Sequence, residues 1–126
     1  MQLPTRPVYL NLFYLHLPTS GWVSILHRVS GALLFFVLPF LVWFFARSLT
    51  SEAEFAHMAN YFAAPFAKVL MLGLLAGLSH HFFAGLRHLA MDAHWGVSLS
   101  SARITSLVVF LATGIVLVLA AWMLFR

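Results

Sequence analysis

The sequence predicts an all-α integral membrane protein with three transmembrane helices, and three observations carry that expectation. Hydrophobic residues make up 63% of the 126, and only 8% are Asp, Glu, Lys or Arg. A soluble domain usually carries about 25% charged residues, so this chain cannot cover a water-facing surface with polar groups. Three segments, at 24–48, 64–90 and 103–125, are long enough to cross a hydrocarbon core, which takes about 20 apolar residues. The four tryptophans fall near the ends of these segments, where an amphipathic ring favours the membrane–water interface.

Residues 1–23 come first. "MQLPTRPVYLNLFYLHLPTSG" is too broken by Pro and Gly to span, and it is expected to lie across one membrane face. The first long apolar run begins near residue 29 and outlasts the core of a signal peptide, so a cleavable signal is not expected. Trp22 and Trp43 bracket the first span. A helix joining them rises about 31 Å at 1.5 Å per residue, close to the hydrocarbon thickness. Pro39 is a candidate kink, which membrane helices tolerate.

After the first span, "SEAEFAHMANYF" opens with Ser51 and has Glu54 three residues later. That capping-box pattern fits either a short interfacial helix or an N-terminal extension of the second span. Trp95 follows the second span, and Trp122 lies near the end of the third. No internal repeat is visible, and one membrane domain accounts for residues 1–126.

Charge and cysteine exclude several classes. A net charge of +4 comes from seven Lys and Arg against three acids, spread thinly along the chain. A nucleic-acid-binding face would cluster them. Absence of cysteine excludes disulfides, cysteine-ligated clusters and covalently attached c-type haem within this chain. With three spans, one side carries Arg6, Arg28, Arg87 and Arg103, and the other Arg47, Lys68 and Arg126. Four against three leans towards a cytoplasmic N-terminus.

Antiparallel packing brings the entrance of the first span level with the exit of the second. Ser24, His27 and Arg28 therefore meet the depth of His80, His81, Arg87, His88 and Asp92. Ionisable groups near a bilayer interior are costly, and they call for partners and a function. At 100° per residue, His81 and His88 differ by only about 20° around the helix, whereas His80 points about 100° away. Gly73, Gly77 and Gly85 share the stripe of His81.

Two readings of that stripe stand. One is a small-residue packing seam with His81 hydrogen-bonded across it. The other is a flat approach for a large planar group ligated by His81, such as a b-type haem. The propionates of such a haem would meet His27, Arg28 and His88. Arg28 has its own simpler reading, snorkelling to the headgroups. A non-haem metal site lacks a carboxylate within the spans. Nucleophilic catalysis lacks a carboxylate to orient a histidine beside Ser24, and no glycine loop suits a phosphate.

The motifs reached by this route resemble a known family. Arg6–Pro7, "SILHRVSG" at 24–31 and "HHFFAGLRHLAMD" at 80–92 are similar to the cytochrome b membrane-anchor subunit of succinate dehydrogenase, respiratory complex II. The order and spacing of S-x-x-H-R-x-[ST]-G and H-x-x-x-G-[IL]-R-H-L-x-x-D match over nearly the whole chain.

The resemblance implies half of a two-subunit helical anchor. A second small membrane subunit, an iron–sulfur subunit and a flavoprotein subunit would be its partners, in the cytoplasmic membrane of a bacterium. It implies haem b shared with the second anchor, and ubiquinone as electron acceptor. His81, four residues before the glycine of the second motif, becomes the axial ligand to the haem iron. Ser24 and Arg28 become quinone-binding residues, and His27, Arg28 and His88 groups near the haem propionates. A fumarate reductase anchor is the near alternative; a haem-free membrane scaffold is the alternative from another class.

Overall fold

The computed structural model describes residues 17–126, and within them every regular element is a helix. Four follow in order: α1 Thr19–Ser48, α2 Glu52–Ala63, α3 Pro65–Asp92 and α4 Leu99–Phe125. Three of them, α1, α3 and α4, are long and apolar enough to cross a membrane. Helix α1 starts at Thr19, five residues before the expected start at 24, and runs through Pro39 without interruption. The segment expected to lie on the membrane face over 1–23 therefore gives residues 19–23 to α1. Its first sixteen residues, with Arg6 and Pro7, lie outside the described residues.

Local chemistry sets the boundaries of the other helices. Ser51 caps α2 by accepting a hydrogen bond from the Glu54 backbone N–H at 3.1 Å, so this stretch is a separate short helix. It is divided from α3 at Ala64, whose extended backbone (φ −63°, ψ 139°) is what a following proline imposes. Pro65 then occupies the first turn of α3, where its missing N–H is harmless. At the other end, His94 takes a left-handed φ of 64° and donates to the Met91 carbonyl, while Trp95 donates to that of Ala90. These two bonds form a Schellman cap that stops α3. Ser98 caps α4 through the Ser101 N–H.

Helix α3 packs against both α1 and α4, and α1 also reaches α4. The core at the site end is small: Val23, Ala84 and Val109, flanked by Phe83 and Phe110. The other buried side chains there are mostly polar, namely Ser30, Ser79, His80, Arg87 and Ser106. Large apolar residues such as Phe35, Phe36, Val118 and Met123 are at least 70% exposed. This inversion of a soluble protein suits a lipid solvent. Tails solvate Phe and Leu as well as a core would, so small and polar residues occupy the helix contacts.

The far end is tied by different contacts. Arg47 pairs with Glu54 at 2.9 Å, which fastens α2 to the end of α1. Lys68 Nζ donates to the Leu124 carbonyl at 2.6 Å, satisfying an otherwise orphaned acceptor at the end of α4.

Candidate functional site

The polar residues gather where α1 enters and α3 leaves. On α3, one helical step separates two histidines with different surroundings. His80 is 7% exposed and turned into the three-helix core. Its Nε2 donates to the Val23 carbonyl of α1 at 3.4 Å, and its ring lies 5.6 Å from that of Phe110 on α4. His81 faces α1 at the edge of the bundle. Its Nδ1 lies 3.0 Å from the His27 carbonyl oxygen.

That contact determines the tautomer. A carbonyl only accepts, so the bond requires a proton on Nδ1, and the lone pair is left on Nε2. Ser30 reinforces the arrangement: its hydroxyl donates to the same His27 carbonyl at 3.0 Å, and its oxygen lies 3.3 Å from His81 Nδ1. Among the described residues Nε2 of His81 has no hydrogen-bond partner. An imidazole held by Nδ1–H to a backbone carbonyl, with Nε2 free, is the usual geometry of a metal-ligating histidine.

The neighbouring rings complete the cluster. His27 stacks on His81 with centroids 4.2 Å apart and planes 8° from parallel. His88 lies 5.1 Å from His27, tilted by 47°. Next to His27 on α1, the exposed Arg28 donates from Nη2 to the Oγ of Ser24, one turn earlier, at 3.3 Å. His27, His81 and His88 are thus brought together, with the Ser24–Arg28 pair beside them on α1. Asp92 is exposed and forms no ion pair among the described residues.

The glycine stripe of α3 has a use that periodicity left open. A Cβ on Gly77 would meet Leu33 at 3.7 Å, and one on Gly85 would meet His27 Nε2 at 3.5 Å. This stripe is a seam for α1 of the same chain. A planar group would therefore meet His81 at its Nε2 edge and not by sliding along Gly77 and Gly85.

The tightest approach is made by a glycine on the opposite helix. A Cβ on Gly31 would sit 2.8 Å from His81 Cε1. Ser30 and Gly31 are the positioning residues that sequence reasoning missed, although both stand in "SILHRVSG". The available signal was their spacing, three and four residues after His27, which puts them on its helical face.

A stability prediction follows from this contact. Gly31→Ala overpacks a ring already held by Ser30 and the His27 backbone, and is expected to destabilise by about 1–3 kcal/mol. Gly77→Ala makes only ordinary van der Waals contact and should be nearly neutral. Denaturation midpoints of the two variants in detergent check this; equal midpoints would show that the His81 ring yields freely.

The donor set fits a haem better than a bare ion. Among the described residues no three His, Cys, Asp or Glu side chains are grouped to hold a metal. A haem brings four nitrogens of its own and needs from this chain one imidazole, which His81 can provide. Its carboxylates need donors, which His27, His88 and Arg28 carry.

Comparison with known proteins bears on the same reading. Residues 2–121 match the family described as succinate dehydrogenase/fumarate reductase transmembrane subunit. The chain is 35% identical over 116 residues to the succinate dehydrogenase cytochrome b556 subunit of Coxiella burnetii, covering 91% of this chain and 93% of that one. It is 28% identical over 125 residues to the cytochrome b560 subunit of Reclinomonas americana, covering 95% and 86%. The cytochrome b556 subunit of Paracoccus denitrificans is 29% identical over 101 residues, covering 80% and 78%.

Proposed function

The chain belongs to the succinate dehydrogenase/fumarate reductase transmembrane subunit family, as a cytochrome b-type membrane anchor, and from that premise we propose its chemistry. It holds one haem b jointly with a second small membrane subunit and helps form the site where ubiquinone is reduced. Electrons from succinate reach that site through the flavoprotein and iron–sulfur partners of the complex. The membrane is the cytoplasmic membrane of a bacterium, with the N-terminus on the cytoplasmic side.

The observation that carries the proposal is the 3.0 Å contact of His81 Nδ1 with the His27 carbonyl, which leaves Nε2 without a partner among the described residues. Its Nδ1–H is committed to the His27 carbonyl, and Nε2 keeps a lone pair for the haem iron. Bound haem would supply a one-electron redox centre. His27, His88 and Arg28 supply donors to its propionates at the depth where those carboxylates approach water. His80, spent inside this chain's own core, would not hold the haem, and any further ligand would be supplied by the partner subunit.

Ser24 and Arg28 act on the quinone. Both carry hydrogen-bond donors on one face of α1, joined to each other at 3.3 Å. Directed at a quinone carbonyl, they favour the negative charge that develops on oxygen as electrons arrive. Quinol formation also takes two protons, which a site near the membrane edge can draw from water.

The test is optical. The assembled complex should show a b-type reduced-minus-oxidised spectrum at about one haem per copy of this chain. The chain expressed alone should give no stable bis-imidazole spectrum as a monomer. A complex without haem would leave only a structural anchor; a bis-imidazole haem on the lone monomer would remove the need for a partner ligand.

A further inference from the structure

The α3–α4 side of the bundle carries a groove of about 290 Å³ that the proposed redox site does not use. Arg87, Trp95 and Thr105 stand at the end where α3 leaves and α4 enters, and Phe83, Leu86 and Val109 line the wall. Ala112, seven residues along α4 from Thr105, is about 10 Å deeper. The lining is mostly apolar, and its two polar side chains other than the Trp95 indole, Arg87 and Thr105, sit towards the end where α3 leaves.

Arg87 is 8% exposed, yet no carboxylate neutralises it. Among the described residues the one ion pair is Arg47–Glu54, at the far end. Asp92, on the same helix, lies about 140° away around the axis and faces outward. Arg87 Nε donates to Thr105 Oγ1 at 3.0 Å, and Nη2 to the Ala102 carbonyl at 3.4 Å. These are neutral acceptors, and they use two of the five N–H bonds of the guanidinium. Every enclosed side-chain nitrogen or oxygen among the described residues has a partner. Nη1, which has none among those residues, is therefore not enclosed, and Arg87 is part of the groove lining. A cation in this position, at membrane depth, calls for an anion from outside the chain.

We propose that this groove binds one anionic phospholipid, its phosphate on the Arg87 guanidinium and one acyl chain against Phe83, Leu86 and Val109. Guanidinium and phosphate match in charge and in fork geometry. Trp95 at the rim has the amphipathic ring that suits the headgroup level. A zwitterionic lipid offers the same phosphate but brings its own ammonium, which cancels the charge that Arg87 lacks. The ligand is therefore a lipid of net negative charge, such as phosphatidylglycerol.

The experiment uses the assembled complex, stripped of lipid in detergent and then offered phosphatidylglycerol or phosphatidylcholine. Retained lipids are counted by native mass spectrometry. Wild type should retain one more phosphatidylglycerol than Arg87→Gln, and phosphatidylcholine counts should not differ. Val108→Trp fills the groove from α4 and leaves the guanidinium intact; it should lose the same lipid, and it carries the test if Arg87→Gln fails to assemble. A photo-crosslinking residue at Leu86 should label lipid. Equal phosphatidylglycerol counts in wild type and the variants would overturn the proposal, as would retention of both lipids alike or crosslinking of Leu86 to another subunit. None of these readouts depends on haem or quinone, so failure here is distinct from failure of the redox assignment.

Discussion

Replacing His81 by alanine is expected to abolish the b-type haem spectrum of the assembled complex, whereas His80→Ala leaves it largely intact. The two residues are adjacent and chemically identical, so only their surroundings separate them. His81 stands at the bundle edge with Nδ1 donating to the His27 carbonyl and Nε2 free. His80 is buried against Val23 and Phe110, its Nε2 spent within the core. A group shared with a second subunit cannot be reached from there.

His80→Ala carries its own signature. It removes a hydrogen bond to the Val23 carbonyl, which keeps its helical partner, a loss worth about 0.5–1.5 kcal/mol, and it empties the space beside Phe110. That variant should be less stable but still red. His81→Ala should assemble or not, but in neither case show a normal low-spin b-type spectrum. The measurement is a dithionite-reduced minus oxidised spectrum, normalised to flavin. If haem is lost in His80→Ala and kept in His81→Ala, the ligand assignment is reversed.

The second large effect concerns quinone reduction. Ser24→Ala should slow it, and Arg28→Leu more severely, while succinate oxidation by a soluble artificial acceptor stays near normal. One charge-assisted hydrogen bond is worth about 1.5–3 kcal/mol, or roughly 10- to 150-fold in the step it supports. The hydrogen bond between Arg28 and Ser24 at 3.3 Å adds a detail. Ser24→Ala also frees an N–H of Arg28, so its loss should fall at the lower end. Arg28→Leu removes donors from both the quinone and the haem propionates, and a shifted haem spectrum should accompany the slower rate. Paired assays on membranes decide the matter. Normal quinone reductase rates and inhibitor sensitivity in both variants would mean that Arg28 only snorkels and the quinone binds elsewhere.

The spans were legible because a bilayer imposes length and apolarity directly on the sequence. α1 and α4 contain the expected segments, starting five and four residues earlier, and α3 matches its own to within two residues at each end: Pro65 opens it, and the His94 turn closes it two residues beyond the expected end. The gathering of His27, His81 and His88 was legible too, since antiparallel neighbours place the start of one helix beside the end of the next.

What each side chain faces was a different matter. A helix that is apolar almost all round has no strong moment to orient it, so its rotation is decided by which small residues let two backbones approach. Tertiary packing alone turned the Gly77–Gly85 stripe onto α1, drove Gly31 against His81 and put Ser30 under its Nδ1. It also sent His80 inward while leaving His81 at the edge, and set Arg87 against Thr105 and Ala102 of α4 in the lining of the α3–α4 groove. Sequence alone therefore determined which residues share a depth in the membrane, because depth follows from distance along a helix. Their azimuth, and with it the partner each imidazole and guanidinium meets, was decided by close packing between helices, which no periodicity within a single helix contains.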